Sequence, residues 1–423
     1  MSVILPGASL GVPPGSTLGV PPGSTLGVLG GGQLGRMFVQ AAQRMGYFVA
    51  VLDKDPISPA GTTANYHIQG STDDEAALAQ LMQRCAAITT EFENVSAPAM
   101  ATLGSQRVVS PSADCVAIAQ NRIEEKTMLA QVARASGNAH AAPVAFTAIQ
   151  SVADITAAPD ERFPALLKTA TLGYDGKGQL KANTRSQASI AFKQLGGVPC
   201  VLEQLLDLAA ECSVVLARNA DGAMVTLPVA RNVHVDGILA SSEIFEHNLP
   251  LALIESAQSA SKSIAEHLQY VGVLCVEFFI LKDSAGTLSE KSELRVNEIA
   301  PRPHNSGHWS IEGSSISQFE LQVRTLCGLP LVQPMQLASC VMLNLLGDLW
   351  LNETSKEKAP DWAAVLAMPG VSLHLYGKNG ARKGRKMGHI TITGASPEIA
   401  SSVALEVAQT LGLHYQPTML DMA

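Results

Sequence analysis

At residues 297–309 the chain reads Asn297-Glu298-Ile299-Ala300-Pro301-Arg302-Pro303-His304-Asn305-Ser306-Gly307-His308-Trp309. The residues before it, Leu294-Arg295-Val296, are typical of the end of a strand. The two prolines fix the backbone angle φ and remove backbone donors, so we expect this polar segment to leave the sheet as a stiff arm. Such an arm would keep a carboxylate, a guanidinium and two imidazoles in fixed positions, as a functional site requires.

Glu298 has a counterpart in the apolar run that precedes it. Residues Val273–Ile280 are apolar on both faces except at Glu277, and a turn-like segment, Lys282–Glu293, separates the two runs. A carboxylate at the end of an apolar strand is costly unless it is paired or bound to a metal. If the strands form a hairpin, Glu277 and Glu298 lie side by side and can hold a hard cation, for which we expect Mg²⁺ with bound phosphates. The alternative is a pair of half-exposed strand glutamates.

Composition narrows the classes of protein to consider. The 423 residues are 47% hydrophobic and 16% charged, with a net charge of −8, which describes a globular protein with no overall attraction to nucleic acid. The seven cysteines are odd in number and show no Cys-x-x-Cys spacing, so neither a disulfide framework nor a zinc site is indicated. Together with the absence of an apolar run of membrane-spanning length, this favours a cytoplasmic protein without a membrane partner.

The N-terminal residues contain a tandem repeat. The sequence Gly-Val-Pro-Pro-Gly-Ser-Thr-Leu occurs at Gly11–Leu18 and again at Gly19–Leu26. Such a composition cannot bury enough surface to offset its ordering entropy, so residues 1–25 are predicted to form a disordered extension. The extension lacks the features of signal and transit peptides.

A glycine turn follows the first apolar strand. Leu26–Leu29 leads into Gly30-Gly31-Gly32-Gln33-Leu34-Gly35, after which apolar residues recur at helical spacing, and a second strand ends at Asp53. This pattern satisfies the dinucleotide-binding fingerprint Gly-x-Gly-x-x-Gly with a downstream acid. A tight strand-to-helix turn would need the same glycines whatever the ligand. The strand Ala86–Thr90 then places Glu91, Glu93 and Asn94 at the carboxyl edge of the sheet, where open α/β sheets bind ligands.

The middle of the chain carries cations and a second glycine-rich loop. A helix predicted from about Ala113 to Ser136 places Arg122 and Lys126 on one face, for which a solvated basic face is the default interpretation. Further on, a strand ends at Lys168 and leads into Gly173-Tyr174-Asp175-Gly176-Lys177-Gly178-Gln179. Three glycines and a mobile cation suit a lid over polyphosphate, and the alternative is a hairpin with a surface lysine.

These motifs together resemble the ATP-grasp ligases from about Ala113 to Gly328. Within that superfamily the chain is similar to the N5-carboxyaminoimidazole ribonucleotide synthases of purine biosynthesis, from Leu26 to about Gln416. The likeness rests on residues 31–37, 91–94, 173–179 and 304–309. It implies an α/β fold with a Rossmann-like pre-ATP-grasp domain (26–112), ATP-grasp α+β domains (113–330) and a small C-terminal β-rich domain (331–423). In this family the glycine turn faces the ribonucleotide substrate.

The resemblance also implies roles for individual residues. The expected ATP contacts are Arg122, Lys168, Gly173, Tyr174, Asp175, Gly176, Lys177, Gly178, Gln179, Glu203, Gln204, Leu205, Leu206, Glu211, His234, Asn297 and Glu298. The magnesium ligands become Glu277 and Glu298. Catalytic roles fall to Tyr174, Asp175, Arg302, His304 and Asn305. Contacts to the acceptor substrate are expected from Gln33, Leu34, Glu91, Lys378, Arg385 and Lys386.

A basic loop near the C-terminus belongs to the acceptor set. Five cations occur in residues 378–386 without an acid, in a chain that is net acidic. Most such runs are solvated hairpin tips, whereas in the family this loop binds the substrate phosphate. The departures from the family pattern are small: Asn121 replaces an aspartate, Lys383 replaces a proline, and residues 284–293 lengthen a hairpin.

The reaction implied by the resemblance uses ATP, with Mg²⁺, to activate bicarbonate as carboxyphosphate and to carboxylate 5-aminoimidazole ribonucleotide. A homodimer and a downstream mutase as pathway partner are also implied. Three other functions compete with it. A nicotinamide dehydrogenase leaves the glutamate pair and the lid unexplained, and a non-catalytic ATP-binding regulator has no need of Arg302, His304 or the basic loop. A formate-using glycinamide ribonucleotide transformylase is disfavoured by residues 304–309.

Overall fold

The computed structural model describes residues 19–173, 178–351 and 358–418. Its strands are β1 (Thr25–Leu29), β2 (Phe48–Asp53), β3 (Tyr66–Gln69), β4 (Ala87–Thr90), β5 (Val108–Ser110), β6 (Phe146–Ile149), β7 (Ala165–Thr169), β8 (Gln179–Ala182), β9 (Cys200–Gln204), β10 (Leu208–Arg218), β11 (Met224–Thr226), β12 (Ala230–Val235), β13 (Ile238–Ile244), β14 (Gly272–Leu281), β15 (Leu294–Ala300), β16 (Ser339–Leu346), β17 (Val371–Leu375) and β18 (Lys386–Gly394). The α-helices are α1 (Gln33–Arg44), α2 (Glu75–Arg84), α3 (Ala97–Gly104), α4 (Ala113–Ala119), α5 (Arg122–Ser136), α6 (Val152–Ala157), α7 (Arg185–Gln194), α8 (Leu251–His267), α9 (Ser310–Gly313), α10 (Gln318–Cys327), α11 (Trp362–Leu366) and α12 (Pro397–Leu411).

The first sheet is parallel and has the order β3-β2-β1-β4-β5. Its central strand β1 is buried along its whole length, as expected for an apolar strand covered by helices on both faces. The glycine turn joins β1 to α1, whose apolar side packs into the core with Met37 and Phe38. The Rossmann-like architecture predicted for this part of the chain is confirmed.

The second copy of the N-terminal repeat is part of this fold. Val20 is buried, its N–H donates to the carbonyl of Cys327 (3.0 Å), and its carbonyl accepts from the hydroxyl of Tyr47 (2.8 Å). Thr25 begins β1. The boundary predicted for the disordered extension at residue 25 is therefore wrong for residues 19–25, because contacts made by the folded domains order a segment whose composition alone would not. Residues 1–18 lie outside the described part of the chain.

A four-stranded antiparallel sheet, β6-β9-β7-β8, follows. Leu167, Leu202 and Phe192 of α7 form part of its apolar core. The strands β7 and β8 pair as a hairpin, and the predicted lid lies between them. Residues 174–177 of the lid lie outside the described residues.

The largest sheet is antiparallel, with the order β15-β14-β10-β12-β13-β16-β18-β17 and β11 added to β10. The strands β14 and β15 form the predicted hairpin, in which Glu277 stands opposite Glu298. The strands β16 to β18 continue the same sheet through the pairing of β13 with β16. The C-terminal β-strands are therefore joined to the ATP-grasp sheet rather than forming a separate one.

Two helices replace the single helix predicted from Ala113 to Ser136. The carbonyl side-chain oxygen of Asn121 accepts from the N–H of Ile123 (3.0 Å), so Asn121 caps the start of α5. Asparagine and aspartate are both good helix caps, which explains why the departure from the family pattern at this position is tolerated. Within the described ranges, no helix is both long and apolar enough to cross a bilayer.

Candidate active site

Glu277 and Glu298 stand opposite each other beside an irregularity in the β14–β15 hairpin. The register shifts between Glu277 and Phe278, so Asn297 is the extra residue of a β-bulge. Bulges re-aim side chains next to functional sites. The side-chain oxygen of Asn297 is buried without a hydrogen-bond partner among the described residues, and the side chain of Glu298 remains 43% exposed. This set of oxygens suits Mg²⁺, which takes one or two carboxylates and completes its shell with phosphate oxygens and water.

The described residues contain no larger cluster of metal-ligating side chains than this glutamate pair. Among residues 19–173, 178–351 and 358–418, no group of three or more His, Cys, Asp or Glu side chains is arranged to hold a metal ion. A cation at Glu277 and Glu298 would therefore depend on ligands from a bound phosphate, as is usual for magnesium in nucleotide sites.

His304 connects the stiff arm to the carboxylate pair. Its Nε2 lies 2.7 Å from Glu277 Oε1, and its Nδ1 lies 2.9 Å from the hydroxyl of Ser306. Burial opposes protonation of His304, but Cys275 and Glu277 raise its pKa well above the ordinary value. Burial likewise disfavours the charged form of Glu277, yet His304 and His234 hold its pKa below the usual range.

A second histidine–glutamate pair lies one strand further into the sheet. His234 on β12 is 2.9 Å from Glu211 on β10 through its Nδ1. Burial disfavours the imidazolium of His234, but the hydrogen bond and the charge of Glu211 raise its pKa. The sequence-predicted residues Glu211 and His234 are therefore in contact with each other and next to the Glu277 site.

Lys126 and Lys168 share one buried carboxylate. Glu203 receives Lys126 Nζ at 3.0 Å on one oxygen and Lys168 Nζ at 2.8 Å on the other. The side chains of Lys126 and Glu203 are 1% and 2% exposed, so the default interpretation of a solvated basic face is wrong for Lys126. Burial would raise the pKa of Glu203, but Lys168 and Lys126 lower it to about 2. Because both oxygens are engaged, Glu203 orients Lys168 rather than offering its own carboxylate to a ligand.

Arg122 anchors the start of the lid. Its guanidinium donates to the carbonyls of Thr169 (3.1 Å) and Gly173 (2.9 Å), and one nitrogen lies 3.8 Å from Glu298 Oε2. The lid is thereby tied to the carboxylate pair on one side, while Gly178 and Gln179 at its other end lead into β8. The predicted lid residues Tyr174, Asp175, Gly176 and Lys177 are outside the described residues.

The glycine turn closes on carboxylates of the protein itself. The N–H of Gly31 donates to Asp53 Oδ2 (2.7 Å), and the N–H groups of Gly32 and Gly35 donate to the two oxygens of Glu91 (2.7 and 3.1 Å). A Cβ added at Gly32 would lie 2.5 Å from Glu91 Oε1, so any other residue there would displace the carboxylate that these amides bond. A dinucleotide pyrophosphate would need these same amides, so the geometry disfavours the nicotinamide interpretation.

Arg302 joins the arm to the first sheet. Its guanidinium forms an ion pair with Glu93, and it donates to the carbonyl of Pro303 (3.1 Å). Burial disfavours the charged form of both groups, but each partner outweighs it, so the pKa of Arg302 is raised and that of Glu93 is lowered. Asn305, which follows on the arm, is buried, and neither polar atom of its amide has a hydrogen-bond partner among the described residues.

The basic loop, residues 378–386, reaches the same region. Lys378 Nζ donates to the carbonyl of Lys386 (2.8 Å), and Arg385 donates to the carbonyls of Asn379 and Gly380. Burial raises the pKa of Glu91, and the charge of Lys378 partly opposes this rise. The charge of Lys386 adds to those of His304 and His234, which lower the pKa of Glu277. The loop therefore lies near both the glycine turn and Glu277.

The structure brings most of the predicted site residues together and reassigns a few. The segment from Gln204 to Leu206 follows β9 beside Lys168, and the N–H of Leu205 donates to the carbonyl of Pro164 (2.8 Å). The side chain of Leu34 is buried in the core of the first domain, so this residue has only its main chain to offer a ligand.

Sequence reasoning missed Lys126 as a site residue, although its helical spacing to Leu129 and Ala133 places it on an apolar face. It also left Glu93 without a role.

Three family models match consecutive parts of the chain. The ribonucleotide synthetase preATP-grasp domain matches residues 24–120, the ATP-grasp domain matches residues 135–319, and the phosphoribosylaminoimidazole carboxylase C-terminal domain matches residues 340–402. Together they cover the three sheet regions described above.

Known proteins show the same similarity over most of the chain. An N5-carboxyaminoimidazole ribonucleotide synthase of Brucella melitensis is 40% identical over 359 residues, which are 84% of this chain and 92% of that protein. The structure of a Staphylococcus aureus N5-carboxyaminoimidazole synthetase complexed with ADP has a TM-score of 0.80 at 34% identity, covering 93% of this chain and 98% of that one. An Aspergillus clavatus synthase in complex with ADP and 5-aminoimidazole ribonucleotide has a TM-score of 0.78 at 28% identity, covering 92% and 98%.

Proposed function

The chain belongs to the N5-carboxyaminoimidazole ribonucleotide synthase family of ATP-grasp enzymes, and we propose that it catalyses the reaction for which that family is named. In this reaction ATP, bicarbonate and 5-aminoimidazole ribonucleotide give N5-carboxyaminoimidazole ribonucleotide, ADP and phosphate, a step of purine biosynthesis. The observation that supports the proposal is the proximity of the basic loop, Arg302 and the Glu277–Glu298 pair, because a cationic loop beside two carboxylates would suit an anionic substrate and Mg²⁺ together.

ATP would lie between the four-stranded sheet and the carboxylate pair. We assign its phosphates to Lys168, Arg122 and the glycine lid at residues 173–179, and its remaining contacts to Gln204, Leu205, Leu206, Glu211 and His234. Glu277, Glu298 and Asn297 would hold Mg²⁺, which when bound neutralises phosphate charge and polarises the phosphorus for attack. This assignment is supported by the oxygen-rich bulge and by Arg122, which contacts the lid and lies near Glu298.

Bicarbonate would attack the γ-phosphorus of ATP, which releases ADP and gives carboxyphosphate. Phosphate is then lost, and the carboxyl group is transferred to the exocyclic amine of the acceptor. Lys168 and Arg302 face the negative charge that develops on the phosphoryl and carboxyl oxygens. The unpartnered amide of Asn305 supplies a donor and an acceptor to the same space, and the His304–Glu277 pair fixes the arm on which it stands. Carboxyphosphate hydrolyses readily, so closure of the lid, with Tyr174 and Asp175, would exclude water during transfer.

The acceptor would lie on the other side of the arm. Its phosphate is assigned to Lys378, Arg385 and Lys386, and its remaining contacts to Glu91 and to the start of α1 at Gln33 and Leu34. The proposal also includes the division of the chain near residues 112 and 330, a homodimer, a cytoplasmic location and a downstream mutase as pathway partner.

The proposal is tested by measuring phosphate release from ATP with each candidate acceptor. Release should require Mg²⁺, bicarbonate and 5-aminoimidazole ribonucleotide together, and the carboxylated product should appear in equal amount. Glycinamide ribonucleotide with formate serves as the matched control for a different ATP-grasp acceptor. Phosphate release that depends on the control acceptor, or that occurs equally without any acceptor, would overturn the assignment.

A further inference from the structure

The strand that carries Glu298 lies at the edge of the large sheet. Among the described strands, β15 pairs with β14 on one side only, and none of them satisfies the backbone groups on its other side. The loop before β6 bonds one residue of this edge, since the N–H of Val296 donates to the carbonyl of Ala142 (2.9 Å) and its carbonyl accepts from the N–H of Val144 (3.1 Å). Beyond Val296 the strand enters the bulge, where the ladder to β14 is also interrupted.

At the bulge, two neighbouring side chains of α5 form hydrogen bonds with the backbone of β15. Lys126 Nζ donates to the carbonyl of Asn297 (3.0 Å), and Glu125 Oε1 accepts from the N–H of Ile299 (2.6 Å). These backbone groups stand on either side of Glu298. Both side chains are buried, so solvent offers the strand no alternative partners.

The two contacts matter because the side chain of Glu298 is only weakly restrained. This side chain is 43% exposed, and its ion-pair partner among the described residues is Arg122, at 3.8 Å. The position of the carboxylate therefore depends on its backbone, which the ladder to β14 holds on one side and Glu125 and Lys126 hold on the other. Lys126 also forms an ion pair with Glu203, which in turn pairs with Lys168. The ammonium group of Lys126 therefore contacts both the backbone beside Glu298 and the carboxylate that orients Lys168. It links the position of one to the position of the other.

We infer that Glu125 and Lys126 are positioning residues, which fix the distance between the metal carboxylate Glu298 and the phosphate-binding Lys168. This inference rests on the proposed function. It predicts that either residue can be lost with the substrate contacts intact, but with the metal and the polyphosphate no longer aligned. A displacement of about 1 Å in such a site costs about 10²-fold in rate.

The decisive comparison is between Glu125→Leu and Glu125→Gln. Glutamine keeps an acceptor for the N–H of Ile299, whereas leucine leaves that donor without a partner. Glu125→Leu should raise the Mg²⁺ concentration needed for half-maximal turnover and lower kcat by about 10²-fold, while Glu125→Gln stays close to the wild type. Lys126→Met should show the same fall in kcat. The KM of the acceptor should not change in any of them. Glu124→Leu, at an exposed position on the same helix, is the matched control.

Calorimetry supplies a readout that is independent of turnover. ATP affinity measured with Mg²⁺ should weaken in Glu125→Leu and Lys126→Met, and the difference between affinities with and without Mg²⁺ should shrink. If Glu125→Leu fails to fold, Glu125→Asp replaces it, because the shorter side chain keeps the carboxyl group and withdraws it by one methylene.

A purely structural role would give a different result. If Glu125→Leu or Glu125→Asp lowered only the melting temperature, with the Mg²⁺ dependence of turnover and of ATP binding as in the wild type, the positioning role would be overturned. A wild-type protein that binds Mg²⁺ and ATP but does not carboxylate the aminoimidazole would instead overturn the proposed function. The calorimetric comparison would still decide the roles of Glu125 and Lys126 in that case.

Discussion

The site holds two groups of cations in opposite ways. Lys126 and Lys168, the buried lysine pair, share the carboxylate of Glu203 at 3.0 and 2.8 Å, and their side chains are 1% and 11% exposed. The cations of the basic loop are half-buried or exposed, and Lys378 and Arg385 donate to backbone carbonyls of their own loop.

The difference follows from the cost of moving a charge out of water. A buried ammonium needs a fixed opposite charge, so the geometry of the lysine pair is set before any ligand binds. A cation that donates to carbonyls near the surface can exchange these bonds for a phosphate at much smaller cost. The buried pair therefore suits charge stabilisation during chemistry, and the basic loop suits the capture and release of a substrate.

The largest effect should come from Glu298→Gln, which changes the metal site beside the buried pair and nothing on the acceptor side. Losing this ligand charge removes several kcal/mol of transition-state stabilisation, so turnover should fall by about a thousandfold or more. The fold should persist, because the side chain is partly exposed. Phosphate release and circular dichroism measure the two outcomes. Normal activity at low Mg²⁺ would contradict the metal assignment.

Glu203→Gln tests whether the lysine pair depends on its shared carboxylate. The substitution leaves two buried ammonium groups facing a neutral amide, and breaking a buried pair in this way costs about 3–5 kcal/mol. The free energy of unfolding in urea should fall by that amount, and turnover should be lost as well. The exposed Glu266→Gln is the control and should change neither quantity.

The basic loop should respond in its binding constants rather than its stability. In Lys378→Ala/Arg385→Ala the KM of the acceptor should rise, since each charge-assisted contact contributes roughly 1.5–3 kcal/mol. ATP affinity and the melting temperature should barely move. Lys168→Ala should do the reverse and weaken ATP binding first. If the loop variant lost ATP binding and kept its acceptor KM, the assignment of the basic loop to the acceptor would be contradicted.

Acid should act on the buried pair through Glu203. The pKa of this carboxyl is lowered from 4.5 to about 2 in the folded protein, so its contribution to stability is complete above about pH 4.5 and is lost as the pH falls toward 2. The difference in unfolding free energy between the wild type and Glu203→Gln should therefore be constant from pH 6 to 8, and should narrow below about pH 4.5. If this difference in unfolding free energy narrowed as the pH rose, the lowered pKa of Glu203 would be contradicted.

The smallest effects are expected outside both regions, at the N-terminus. Removal of residues 1–18 should leave activity and Tm unchanged, because their composition predicts a disordered extension. Removal of residues 1–24 should lower Tm measurably, since Val20 is buried and is bonded to Tyr47 and Cys327. The two truncations, compared by thermal melting, differ only in residues 19–24, whose sequence repeats that of residues 11–16. Equal melting temperatures would mean that this packing contributes nothing.

Local patterns in the sequence were sufficient for much of the fold. Apolar periodicity placed β1, α1 and the β14–β15 hairpin, and the hairpin alone was enough to predict that Glu277 and Glu298 stand opposite each other. These features could be predicted because each depends on residues close together in the chain, where strand and helix periods are directly visible. The resemblance to ATP-grasp ligases added the roles of the lid and of the basic loop.

The sequence by itself thus determined the elements, the pairing of Glu277 with Glu298 and the family to which the chain belongs. Only the tertiary structure decided how the charges are partnered: Lys126 with Glu203, Arg302 with Glu93, and Glu125 with the backbone of Ile299. It also decided that residues 19–25 belong to the fold. The physical reason is that the sequence around a charged side chain shows no periodicity that reveals its partner. A buried charge needs a partner, and in these three cases the partner lies far along the chain.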